Sequence, residues 1–194
     1  MMLPKGLAAM FMATVFVTAN GGAAFATPPA SGQTDTAEAG KLGEVLTVLH
    51  AVDQWSIDLS KMADQRAQSD LVKNYARSMT TANADEDAKL MGIAQKHGFQ
   101  VAPLDPKTEE GKSLLERISA ETALLKSLNG DAFDKEYMTL VTNTQQSVIH
   151  FLEGHKAAAT DPAVKQFMGE VKTTVQNRLK TAQDILAKVY GDKI

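Results

Sequence analysis

From Leu42 onward, apolar residues recur along the chain with a helical beat. Leu42, Val45, Leu46, Leu49, Val52, Leu59, Met62 and Ala63 are spaced for one helix face, with Ser56 interrupting the stripe. Ser69 is placed to cap a second helix carrying Tyr75, Met79, Ala82, Leu90, Ile93 and Ala94, and Gly98 is placed to end it. The stretch FQVAPLDP reads as a loop, with Asp105 as a cap and Pro106 in the first turn of the next helix. That shorter helix, around Leu114, Leu115, Ile118 and Leu125, closes at Asn129-Gly130. Asp131 then caps a helix with the stripe Phe133, Tyr137, Val141, Thr144, Val148 and Phe151. Asp161 and Pro162 open the last helix, whose stripe runs Val164, Phe167, Met168, Val171, Val175, Leu179, Ala182, Ile185, Leu186 and Val189. No stretch alternates strictly enough for a strand.

The predicted domain over 41–190 is therefore all-α. Four helices of about 25 residues, paired by short links near 67–69 and 159–161, predict an antiparallel four-helix bundle, with the 114–128 helix in the crossover between the hairpins. Segment 27–40, TPPASGQTDTAEAG, is rich in Pro, Gly, Ser, Thr and Ala and reads as a disordered linker.

The N-terminus changes the picture from fold to address. Lys5, an apolar run from Leu7 to Ala19 and the small-x-small end Ala24-Phe25-Ala26 make residues 1–26 a signal peptide, cleaved after Ala26. The run is shorter than the roughly 20 residues a membrane span needs. The chain has no cysteine, so lipid attachment at cysteine and disulfides are both excluded. The expected product is a soluble periplasmic protein with no membrane span once the leader is gone. A net charge of −3 without a basic cluster argues against nucleic acid as partner and leaves an unidentified protein or envelope component.

The candidate chemistry is sparse. A di-metal bundle uses Glu-x-x-His, which sets both ligands on one inward face, and no acidic residue here has a histidine three positions later. His150 and His155, five apart, diverge by about 140° on a helix. Gly111-Lys112-Ser113 lacks the earlier glycine of a phosphate loop, since that position is Pro106. The sequence thus predicts no catalytic residue, no metal and no cofactor. On the second helix Glu86 falls on the inward side with Asn83 at its edge, while Asp85 and Asp87 point toward water. Arg178 lies on the inward line of the last helix. We therefore expect a buried polar layer of Ser56, Asn83, Glu86, Thr144, Gln145 and Arg178, centred on a Glu86–Arg178 ion pair. Trp55, beside the inward line of the first helix, reads as core packing before interaction surface.

Three stretches in order carry a family resemblance: LSKMADQRAQSDLVKNYARSM at 59–79, NGDAFDKEYM at 129–138 with its Phe133-Asp134-x-x-Tyr137 signature, and DPAVKQF at 161–167. They resemble the bacterial domain of unknown function 4142 family, often labelled "predicted outer membrane protein", over about 45–188. The resemblance implies a ferritin-like arrangement of the bundle. Where that family tends to place histidines this chain carries Asn83, Gln145 and Arg178, and Ser56 stands where it tends to carry an acid. Together these readings imply an exported, non-catalytic binding, interaction or stress-related protein, with a ferritin-like metal- or oxidant-handling protein as the alternative.

Overall fold

A computed structural model describes residues 31–157, 159 and 161–191, with side chains from Gly40 onward. The described residues form five α-helices and no strand: α1 Ser31–Arg66, α2 Asp70–His97, α3 Glu109–Ser127, α4 Gly130–His155 and α5 Pro162–Tyr190. The expected leader and residues 27–30 lie outside the described residues. From Ser31 to Gly40 the chain is already helical, ahead of the start expected near Leu42. No proline follows Pro29 before α1 is established, and the Ala37-Glu38-Ala39 run favours helix.

Helix ends follow local chemistry, in places up to three residues from where the sequence suggested. Gly98 ends α2 in the left-handed region at φ 71°, and its N–H donates to the Ala94 carbonyl. Asp161 caps α5 by accepting from the Ala163 and Val164 amides at 2.8 and 3.1 Å, with Pro162 in the first turn. α3 begins later than expected. Asp105 accepts from the Lys107 amide to form a turn, and Thr108 is the residue that caps the helix, through the Gly111 amide. Asn129, rather than Asp131, occupies the N-cap position of α4.

α1 packs on α2 and α4 on α5; the pairs meet through α1 on α4 and α2 on α5, and α3 lies against α4. The loop after α2 crosses α1 closely at Gly43. A Cβ at Gly43 would sit 2.8 Å from the Gln100 carbonyl oxygen, so only glycine admits that crossing.

The core is divided. One apolar cluster draws on residues 55–63 of α1, Ala67 of the following turn, 72–79 of α2 and 133–141 of α4, with Leu125 and Ala182. The other takes 42–49 of α1, Leu90 and Ala94, Phe151 and Leu152, and 164–175 of α5. On every long helix the gap between the clusters falls on the same level: Asp53, Asn83 to Asp87, Thr144 and Gln145, and Arg178. Trp55 belongs to the first cluster, and its indole N–H donates to the Thr122 hydroxyl of α3 at 2.9 Å.

Candidate functional site

The level between the two clusters holds the densest set of buried polar groups among the described residues. Arg178 reaches across from α5 with its side chain 13 % exposed. Its Nη1 lies 3.0 Å from Glu86 Oε2 and donates to Asn83 Oδ1 at 2.9 Å, while Nη2 donates to the Ala82 carbonyl at 3.2 Å. Three acceptors on one turn of α2 therefore hold one guanidinium, the planar fork being suited to such a grip. A relay joins the same level to α4. Gln145 Nε2 donates to the Tyr75 hydroxyl at 2.7 Å, and that hydroxyl donates to the Arg178 carbonyl at 3.2 Å. Burial pushes the Tyr75 hydroxyl up to about 12, against the lowering effects of Gln145 and Arg178.

Of the six residues expected in the layer, five are at this level: Asn83, Glu86, Thr144, Gln145 and Arg178. Ser56 is only half-buried. The serine that α1 does bury is Ser60, hydrogen-bonded to the Tyr137 hydroxyl at 3.0 Å. Asp87, expected in water, is turned inward, with Oδ1 2.6 Å from His50 Nδ1 and Oδ2 accepting from Gln54 Nε2 at 2.8 Å. The broad interface between α1 and α2 covers this side of α2, which the stripe of α2 alone could not reveal.

A second member of the layer that sequence reading missed is Asp53, which is 6 % exposed. Its Oδ2 has no hydrogen-bond partner. Burial, then the neighbouring Glu86 and Asp87 carboxylates, push its carboxyl up to about 9, and Arg178 only partly opposes them. Burial also raises Glu86, against the Arg178 guanidinium it touches. A signal for Asp53 was present. The seam Leu42, Leu46, Leu49 continues in alternating steps of four and three to Asp53, Ser56, Ser60 and Ala63. Following Val52 in place of Asp53 kept the stripe apolar and lost its one acid.

The Phe133-Asp134-x-x-Tyr137 stretch has a separate, structural use. Asp134, fully buried, accepts from the Gln68 amide at 3.0 and 3.1 Å and from the Ser69 amide at 2.7 Å. These are amides of the α1–α2 turn, which a helix start leaves unpaired. The Arg66 guanidinium sits 4.7 Å from the Phe133 ring centre and donates to the Leu128 carbonyl at 2.6 Å. The signature thus fastens the first hairpin to the start of α4.

The histidines serve locally. His97 pairs with Asp161 at 2.9 Å and stacks on Phe99, joining the end of α2 to the start of α5. His155 bonds the Phe151 carbonyl at 2.8 Å. His150 is largely exposed and lies 3.9 Å from Glu153, which itself pairs with Lys172 at 2.7 Å. No group of three or more His, Asp or Glu among the described residues is arranged to hold a metal ion.

The family model for the domain of unknown function (DUF4142) matches residues 26–185. The chain belongs to this family. Two solved structures share its fold. The DUF305 fragment from Deinococcus radiodurans aligns with a TM-score of 0.66 at 16% identity, covering 76% of this chain and 95% of that one. A protein from Streptomyces coelicolor, described as "putative secreted protein DUF305", aligns with a TM-score of 0.63 at 16% identity, covering 78% and 94%. Comparison with the curated proteins gives no match. No described helix is long and apolar enough to cross a membrane.

Proposed function

We propose that this DUF4142 protein is an exported, non-catalytic helical bundle that acts in the periplasm by binding another envelope component. In this reading the paired helices are a ferritin-like four-helix bundle with α3 in the crossover. The packing of α1 on α4 and α2 on α5, each antiparallel, supports that topology. The observation that carries the functional reading is the Arg178–Glu86–Asn83 cluster. At the level where a bundle can present ligands or catalytic groups to a guest, the Arg178 guanidinium is taken up by Glu86 and Asn83 of the facing helix. The leader-like N-terminus supports export, and residues 1–26 with cleavage after Ala26 remain the proposed signal peptide.

Two measurements test this reading. The mass of the protein released from cells by osmotic shock should lack residues 1–26; an uncleaved chain in the cytoplasmic fraction sinks the export claim. Elemental analysis of that material should give no stoichiometric metal. One iron, manganese, copper or zinc per chain would replace this reading with metal handling.

A further inference from the structure

The polar layer is not electrically balanced if every acid in it is ionised. α1 contributes Asp53 and His50, α2 contributes Glu86 and Asp87, and α5 contributes Arg178. From α4 the layer receives the uncharged Thr144 and Gln145. Ser60 on α1 meets Tyr137 on α4, so two turns along each antiparallel helix Asp53 comes level with Thr144. Arg178 is matched by Glu86, and His50 is set against Asp87. Asp53 is the acid left over, with no cation in hydrogen-bonding contact.

The hydrogen-bond count leads to the same residue. Four buried polar atoms of this layer have no partner: Asp53 Oδ2, Asn83 Nδ2, Thr144 Oγ1 and Gln145 Oε1. Only the Asn83 amide is an obligate donor; the amide oxygen accepts, and an ionised carboxylate accepts as well. The Thr144 hydroxyl can donate as well, yet neither it nor Asn83 Nδ2 reaches Asp53, whose buried oxygen receives no hydrogen bond that would hold a charge there. Such a group stays neutral in preference to carrying a buried, unpaired charge.

We propose that Asp53 is carried as the neutral acid in the folded chain and that its ionisation at alkaline pH puts an uncompensated charge between the two apolar clusters, loosening α1 from α2. Glu86 is the competing holder of that proton, but its carboxylate has Arg178 at 3.0 Å and Asp53 has no such neighbour. The pH dependence has a definite sign. The unfolded aspartate loses its proton above about 3.9, whereas the folded one keeps it until about 9. Between those limits the folded state binds the extra proton, so stability falls as pH rises. This inference is independent of export and of any partner.

Denaturant unfolding of the full chain and of Asp53→Asn over a pH series tests it, together with infrared spectra of both. Asn mimics the neutral acid and cannot ionise. The folded-to-unfolded ratio of the wild type should fall relative to Asp53→Asn by about tenfold per pH unit within that window. The wild type should show a protonated-carboxyl carbonyl band at neutral pH that Asp53→Asn lacks and that disappears on alkaline titration. Parallel pH profiles would overturn the proposal. So would absence of the band at neutral pH, including the case in which added divalent cations stabilise the wild type in its place. Should Asp53→Asn not fold, Glu86→Gln decides: a band that persists in it and is lost on alkaline titration upholds Asp53 as the holder, and a band that vanishes with Glu86 overturns it.

Discussion

Asp53 and Asp134 are both buried aspartates, on α1 and α4, and their surroundings treat them oppositely. Asp134 sits at a turn where backbone amides are unpaired, and it accepts from two of them. Asp53 sits in mid-helix, where the backbone amides are already committed to the helix, beside two other acids. Burial alone therefore says little about what a carboxylate does between packed helices. The donors within reach decide whether it fastens two elements or accumulates a proton. Arg178 extends the lesson: the guanidinium makes Glu86 a partner, while Asp53 has only its partial influence.

The largest expected effect tests the paired half of the layer. Arg178→Met should leave Glu86 buried without its cation and cost about 3–5 kcal/mol, lowering the melting temperature by on the order of 10 °C. An unchanged melting temperature would show that the ion pair is not structurally engaged. Asp134→Ala should come next, at about 2–4 kcal/mol, because it orphans the Gln68 and Ser69 amides. The sharper version compares one substitution at both sites. Asp134→Asn should destabilise, whereas Asp53→Asn should stabilise relative to wild type at pH 8–9; the same sign at both would erase the distinction. Tyr137→Phe should cost about 1–2 kcal/mol by leaving Ser60 unpaired inside the core. A double-mutant cycle with Ser60→Ala should recover part of that loss. The smallest effect belongs to Asp161→Ala, about 1 kcal/mol for the α5 cap. Burial raises the Asp161 carboxyl, but the Val164 and Ala163 amides and His97 together hold it below its ordinary value. Its contribution is therefore present near neutral pH and lost on acidification, which acid unfolding of the variant would check.

The legible parts of this protein were those written in local pattern. The helical stripes, Gly98 at the end of α2 and Asp161-Pro162 at the start of α5 follow from the spacing of apolar residues and from backbone amides that any helix start leaves open. Glu86 and Arg178 stood on inward lines of their own helices, so their meeting was legible too. Asp87 was not, because its burial comes from α1 covering α2, and Asp53 was passed over for its apolar neighbour Val52. Asp134 could be read as part of a signature, but its bonds to the first turn join residues far apart in the chain.

The sequence by itself determined an all-α chain, where most of its helices end, and which faces they bury, because these depend on neighbours three or four residues away. Only the tertiary structure decided which buried acids find a donor, because donors come from distant parts of the chain and their level is set by how the helices register. That difference in range is why the division of the core into two apolar clusters, and the aspartate stranded between them, appeared only when the helices were brought together.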